Sequence, residues 1–244
     1  MSVAGPKALG DLARRLEPAI ALRGVTWSSN FLLVRVTDGS EPLSPAAAER
    51  RRQIVAATME VLAEYGYAQT SFAKIAKHAG LSSTRLISYH FSGKEDLMRA
   101  VVVAAKDAAV EYIQPRILAA SGHRAQLAAY ITANMEFMRD RTTVLRALIE
   151  LNSNARAAIG EPFLDDAGAD SPLPPLEAGL RAGRSAGEFG DFDAHVMAVT
   201  LRAAIETIAI RYAEGQVSDV DFYAAQLVTL FDRAAAPQPA RATD

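Results

Sequence analysis

Over most of residues 46–235 the apolar positions recur at intervals of three and four, which is the period of an amphipathic α-helix. Ser44 and Pro45 open the first such segment, because serine is a favoured N-cap and proline is favoured at the first helical position. Gly66 is expected to end this helix in the left-handed cap conformation. Strands do not alternate with helices, so the pattern predicts an all-α protein. The expected buried face of the first helix comprises Ile54, Thr58, Val61, Leu62 and Tyr65.

Two short helices follow and are separated by a single glycine. The second helix is predicted to start after Thr70 or Ser71 and to end at Gly80, and the third to extend from about Ser83 to His90. Two short helices joined by a tight turn form a helix-turn-helix, whose second helix enters a DNA groove. The hydroxyls, arginine, tyrosine and histidine of the third helix suit that role, because such side chains bind bases and phosphates.

The remaining pattern predicts a larger helical domain. A fourth helix is predicted to begin after Ser92 and Gly93 and to continue past Tyr112. Residues 1–45 are rich in proline and glycine, and their one apolar run would be a strand without a partner. We therefore predict a disordered extension over 1–45, a helix-turn-helix domain over 46–94, a helical domain over 95–235 and a disordered tail over 236–244. Further helices are predicted over residues 123–141, 142–157, 174–186, 192–214 and 219–235.

Composition and charge narrow the class of protein. The 244-residue chain contains no cysteine, which excludes disulfides, thiolate metal sites and a cysteine nucleophile. No apolar run reaches the roughly 18 residues of a membrane span, so we expect a cytoplasmic protein without a membrane partner. Residues 46–100 carry eight Lys and Arg against five Asp and Glu, whereas residues 101–244 carry thirteen against nineteen. The basic segment coincides with the helix-turn-helix, as DNA binding requires.

Nothing in the sequence indicates an enzyme. The four histidines, at positions 78, 90, 123 and 195, do not have the spacing of metal ligands. A nucleophile elbow, a phosphate-binding loop and a His-Glu-x-x-His motif are all missing. We therefore expect no catalytic residue, no metal and no cofactor.

The helix-turn-helix resembles the DNA-binding domain of the tetracycline-repressor (TetR) family of bacterial transcription regulators. Between Gly80 and Phe91 this chain carries one residue more than the family's usual spacing, and the extra residue falls among residues 82–86. The matching segments are Arg52-Gln-Ile-Val-Ala-Ala57, Leu62-Ala-Glu-Tyr-Gly-Tyr67, Thr70-Ser71, Ile75-Ala-Lys-His-Ala-Gly80, Tyr89-His-Phe91 and Lys94-Glu-Asp-Leu97.

The helix-turn-helix provides a set of candidate DNA-contacting residues, and the resemblance implies a phosphate-binding role for Lys94. Arg85 is the candidate for a bidentate contact to guanine, with a phosphate contact as the alternative. Tyr89 and His90 are candidate phosphate ligands, a structural role being the alternative for His90. Lys94 would bind phosphate at a positive helix end. The full candidate set is Arg50, Arg51, Ser71, Ser82, Ser83, Thr84, Arg85, Ser88, Tyr89, His90 and Lys94.

The second domain is expected to bind an unknown small-molecule inducer and to form a homodimer. Core packing is the alternative for any single ligand-lining candidate. For the last two helices, burial within a monomer is the alternative to a dimer interface. The candidate ligand-lining residues are Tyr112, Tyr130, Asn134, Phe137, Met138, Leu148, Asn152 and Phe163. The candidate dimer contacts are Met197, Leu201, Ile205, Ile208, Tyr212, Leu227 and Phe231, with Arg202, Glu206 and Arg211 as polar interruptions of an otherwise apolar helix.

Together these features predict a ligand-responsive, homodimeric transcriptional regulator that binds double-stranded DNA at a palindromic operator. Repression relieved by an inducer is the usual arrangement in the family that it resembles. An activator or an inducer-free regulator of the same fold is one alternative. A helical ligand-binding or scaffold protein with a vestigial DNA-binding head is the other.

Overall fold

The computed structural model describes residues 44–154 and 171–237. Both ranges fold into helices without strands, which confirms the all-α class. The predicted extension and tail lie outside the described residues, apart from residues 44–45 and 236–237, and so does the ligand candidate Phe163. The helices of the described ranges are α1 (Pro45–Tyr65), α2 (Phe72–His78), α3 (Arg85–His90), α4 (Lys94–Ala119), α5 (His123–Asp140), α6 (Thr142–Ser153), α7 (Leu173–Ser185), α8 (Ala194–Ala213) and α9 (Val220–Ala235).

Side-chain caps set the start of the first two helices. The Ser44 hydroxyl accepts the Ala47 N–H at 3.3 Å, as the sequence predicted. Ser71, rather than Thr70, caps α2 by accepting the Lys74 N–H at 3.3 Å. Thr70 is buried and donates its hydroxyl to the Gly66 carbonyl at 2.8 Å.

The end of α1 differs from the prediction in two details. Gly66 has a φ of 76°, but its ψ of 169° is extended and not left-handed helical. Its N–H still reaches the Leu62 carbonyl at 2.9 Å, and the chain then leaves the helix directly. Tyr65 was expected on the buried face but is 40% exposed, because its ring lies outside the core with the Lys74 ammonium 4.3 Å from its centroid.

Two apolar cores are present, one for each predicted domain. Residues Ile54, Leu62, Ile75, Ile87 and Leu97 are fully buried among α1–α4 in the first core. In the second domain α5 is central, with α4, α7, α8 and α9 packed against it. Its core includes Ile131, Met135, Leu176, Leu180 and Leu201. None of the helices within 44–154 and 171–237 combines the length and apolar character that a bilayer span requires.

Glu188 caps the start of α5 from a distant part of the chain. Its Oε2 accepts the N–H groups of His123 at 2.7 Å and Arg124 at 3.2 Å, and its Oε1 lies 2.9 Å from His123 Nδ1. The bond to the His123 ring lowers the pKa of Glu188 most, followed by the backbone N–H bonds, although burial opposes them. The cap therefore depends on an ionised carboxylate.

This cap is expected to make the protein sensitive to acid. A carboxyl group whose pKa is lower in the folded state stabilises the protein above its unfolded pKa, and the contribution is lost as the pH falls through the folded pKa. We expect the free energy of unfolding to decrease from about pH 5 towards pH 3, and Glu188→Gln to flatten that dependence. Urea denaturation across this range measures the effect, with Asp191→Asn on the exposed Arg184 ion pair as control. A Glu188→Gln variant with an unchanged slope would contradict the assignment.

Candidate DNA-binding surface

The apolar side of α3 is held against α1 and α2. Ile87 is fully buried, and Phe91, just after the helix, is almost fully buried, as predicted. Gly80, with a φ of 65°, makes the turn between α2 and α3, and the Leu81 N–H donates to the Ala76 carbonyl at 2.8 Å. This packing fixes the orientation of α3, so its other side has a defined position.

The opposite side of α3 faces solvent. The helix begins at Arg85, two residues later than predicted, and the Ser83 hydroxyl in the preceding turn accepts the Arg85 N–H at 3.1 Å. Tyr89 is 82% exposed, with its ring centroid 5.0 Å from that of His90 in an edge-on arrangement. The exposed candidates are Ser82, Ser83, Thr84, Arg85, Ser88 and Tyr89. Each of them is accessible to a duplex that approaches this side of the domain.

Arg51 holds the C-terminal end of α3. Its guanidinium donates to the His90 backbone carbonyl and lies 4.1 Å from the Phe91 ring centroid. A cation at this helix end also complements the helix dipole. Burial, and then the charges of Arg51 and Arg50, lower the pKa of His90, which favours a neutral ring at neutral pH. The sequence did not reveal this structural role of Arg51, because its partner lies 39 positions away.

Three other candidate DNA contacts occupy different settings. Arg50 is exposed and donates to the Gln53 side-chain oxygen at 2.6 Å, and Ser71 is exposed at the start of α2. Lys94 is half-buried at the first position of α4, where its ammonium donates to the Tyr67 carbonyl at 3.2 Å and lies 4.0 Å from the Tyr67 ring centroid. Burial lowers the pKa of Lys94. A phosphate bound at the start of α4 would share the Lys94 ammonium with Tyr67. The DNA contacts of Arg50, Ser71 and Lys94 stay predictions.

The ligand-lining candidates divide into separate environments. Tyr112 is half-buried, donates its hydroxyl to the Asp140 carboxylate at 2.5 Å and packs edge-on against Phe137 at 5.7 Å. Leu148 packs against the core of the first domain, and Asn152 is exposed on α6. The structure therefore does not group these two with the others. The buried candidates on α5 are Tyr130, Asn134, Phe137 and Met138.

A charged group that the sequence marked only as a polar interruption lies beside Tyr130. Arg202 on α8 donates from Nη1 to the Tyr130 hydroxyl at 3.3 Å and from Nη2 to Glu206 Oε1 at 2.9 Å. Its side chain is 19% exposed, and its buried Nε has no acceptor among the described residues. Burial alone would lower the pKa of Arg202, but Tyr130 and Glu206 together raise it, so the guanidinium stays charged.

Proteins of known sequence and structure are similar to this chain in its helix-turn-helix and in its overall fold. Residues 54–101 match the family described as bacterial regulatory proteins, tetR family. A bacterial regulatory protein of that family from Rhodococcus RHA1 is 25% identical, with a TM-score of 0.62 over 81% of this chain and 100% of that one. Residues 54–101 therefore form a DNA-binding domain of the TetR type.

Two further transcriptional regulators are similar to this chain. The HTH-type transcriptional regulator BetI 2 of Chromohalobacter salexigens is 34% identical over 116 residues, which are 43% of this chain and 47% of that relative. The chain thus spans about half the length of this relative. The regulator FadR of Bacillus subtilis, solved in complex with stearoyl-CoA, is 25% identical, with a TM-score of 0.61 over 74% of this chain and 96% of that one.

Two helices connect the DNA-binding domain to the larger domain. The sequence indicated α4, which contributes to both cores. The second connection is α6, whose Ala147 and Leu151 are buried in the first-domain core. Glu150, between them, accepts the Tyr67 N–H at 2.9 Å. No motif signals this contact, because α6 and Tyr67 are far apart in the sequence.

The structure places five of the seven predicted dimer contacts inside their own protomer, where they leave no surface for a second copy. Met197 and Tyr212 are partly buried and stay predicted contacts. The predicted contacts Leu201, Ile205, Ile208, Leu227 and Phe231 are buried in the second-domain core, and Met197 and Tyr212 pack against it. The exposed apolar residues of α8 and α9 are Val196, Val199, Ile210, Phe222 and Leu230, which we call the outer face.

Proposed function

We propose that this protein is a TetR-family transcriptional regulator that is homodimeric, responds to a ligand and binds a palindromic operator. Within that function we propose a repressor that a small-molecule inducer releases from DNA. The main support for DNA binding is the orientation of α3. Its apolar side is buried in the core, and the exposed residues on and next to it are Thr84, Arg85, Ser88 and Tyr89. A rigid helix that presents hydroxyls and an arginine to solvent is suited to reading base edges in the major groove.

The outer face supports the homodimer. Apolar residues grouped on a protein surface commonly mark an interface, and α8 and α9, which contact each other, expose five large ones. A second copy bound by two-fold symmetry would bury the outer face of both copies and pair two α3 helices. Such a dimer contacts half-sites about one DNA turn apart, which requires a palindromic operator.

The larger domain supports a response to a ligand. The FadR relative binds stearoyl-CoA, and this chain shares its fold. A ligand that favours one arrangement of the larger domain would change the spacing of the two α3 helices through α4 and α6. Coupling of about 1–3 kcal/mol between the sites would weaken operator binding about 5- to 150-fold.

Arg85→Ala tests the proposed reading surface. A bidentate arginine–guanine contact contributes about 1–3 kcal/mol of discrimination, so the variant should bind its operator more weakly and lose sequence preference at one position. Footprinting on the protein's own upstream promoter DNA, across a salt series, locates the operator, and fluorescence anisotropy measures affinity for single-base operator variants.

Arg181→Ala is the matched control, because Arg181 is an exposed arginine of the larger domain. It should bind DNA like the parent protein. Unchanged affinity and preference in Arg85→Ala would place the reading surface elsewhere. An absence of salt-dependent binding to any duplex would favour a helical ligand-binding or scaffold protein, since phosphate contacts always make DNA binding salt-dependent.

A further inference from the structure

We propose that Arg202 and Tyr130 bind the carboxylate of a small molecule with an apolar body. This inference rests on the proposed function, because it names the chemical class of the ligand that the larger domain binds. The site lies between α5 and α8, where Arg202, Tyr130 and Glu206 meet.

On one edge of the Arg202 guanidinium, only one of the two N–H donors has an acceptor in the described part of the chain. Nε–H and an Nη2–H point in the same direction and together match the two oxygens of a carboxylate. In this structure Glu206 takes only the Nη2 position, with one oxygen at 2.9 Å. The buried Nε beside it has no acceptor among the described residues. A carboxylate that binds both nitrogens would satisfy the donor that Glu206 leaves open.

Tyr130 supplies a second donor beside the same guanidinium, next to Nη1. Its hydroxyl oxygen accepts the Arg202 Nη1–H at 3.3 Å, so its own proton remains to be donated. No acceptor for that proton is present among residues 44–154 and 171–237. The Arg202–Tyr130 pair therefore has two hydrogen-bond donors without acceptors within these ranges, which favours an oxygen-bearing anion over a cation.

Glu206 is suited to being displaced. Its side chain is 41% exposed, whereas that of Arg202 is 19% exposed, so Glu206 can move into water at little cost. A ligand carboxylate in its place keeps the charge of Arg202 compensated. Tyr130 belongs to the apolar core of the larger domain together with Ile131 and Leu201. The ligand's remaining part should therefore be apolar.

The test is direct binding of defined probes to the full-length protein without DNA. Isothermal titration with octanoate and benzoate is compared with titration of octanamide and benzamide, which keep the shape and lack the charge. We expect the parent protein to bind at least one carboxylate and to bind its amide at least about 10-fold more weakly.

Substitutions separate this site from simple apolar binding. Arg202→Gln and Arg202→Lys should each weaken carboxylate binding about 10-fold or more, because neither retains the two-nitrogen edge. Tyr130→Phe should weaken it several-fold, since one hydrogen bond is lost. Glu206→Gln should strengthen it several-fold, because the competing charge is removed. Arg99→Gln and Glu95→Gln, on an exposed pair with the same i,i+4 spacing, should change nothing.

Two results would overturn the proposal. One is the absence of carboxylate binding by the parent protein; the other is binding that Arg202→Gln and Glu206→Gln leave unchanged. Circular dichroism and thermal unfolding show whether each variant is folded, and Arg202→Lys provides a milder change if Arg202→Gln is not. Operator binding is measured separately in the absence of probe, so failure of the carboxylate site leaves the DNA-binding proposal standing and the converse also holds.

Discussion

Phe222→Glu is expected to convert the protein into a monomer and to weaken operator binding about 1000-fold. Phe222 is 57% exposed on α9 and lies at the outer face, where a second copy would cover it. A buried, unpaired carboxylate strongly opposes association. A monomer contacts the operator with one α3 helix, so it loses the gain of about 10²–10⁴ that two linked contacts provide.

Sedimentation equilibrium measures the mass of the variant, and anisotropy measures its affinity for the operator. Leu118→Glu is the control, because Leu118 is an exposed large apolar residue on α4, outside α8 and α9. It should remain a dimer with unchanged affinity. A dimeric Phe222→Glu protein with parental affinity would exclude the outer face as the interface.

Leu151→Ala is expected to lower the free energy of unfolding by about 2–5 kcal/mol, as removal of a buried leucine side chain usually does. Leu151 is almost fully buried, and it lies on α6 while packing in the core of the DNA-binding domain. The loss should therefore affect the contact between the two domains. Hydrogen exchange should increase in α1 and α6 before it increases in α9.

Leu148→Ala provides the comparison within α6. Leu148 packs against the same core but is only partly buried, so its removal should cost clearly less. Urea denaturation gives both free energies. Equal losses for the two variants, or an exchange pattern that is uniform over the protein, would contradict the proposed junction.

Local signals in the sequence predicted the helices well. Ser44 and Ser71 mark helix starts because a hydroxyl at the N-cap satisfies a backbone N–H, and this interaction requires only neighbouring residues. The class of fold and the helix-turn-helix followed from the same periodic pattern. Gly66 was assigned a positive φ correctly, but its extended ψ was not predicted. The next residue, Tyr67, donates its N–H to the distant Glu150, a contact that neighbouring residues do not signal.

The features that the sequence did not predict depend on contacts between residues that are far apart in the chain. α8 is apolar on nearly all sides, so periodicity cannot tell which side faces the protomer core and which faces outwards. From the sequence, Leu201 and Val199 are equally good candidates for the buried side of α8. In the structure α8 packs against α5 and α7, and Leu201 is buried whereas Val199 is exposed. Arg202 interrupts the apolar pattern for a reason that appears only when Tyr130 is seen beside it.

The contact of α6 with the DNA-binding domain limits how this protein can be re-engineered. A chimera that takes a new DNA-reading head by joining the chains at Gly93 would keep α4 but replace α1, which packs against α6, and Tyr67, which donates its N–H to Glu150. The new DNA-binding domain would then pack against an α6 whose buried residues fit the core of the original domain. Exchange of operator specificity between relatives therefore requires that the inward side of α6 travel with the head, or that only the exposed residues of α3 be exchanged.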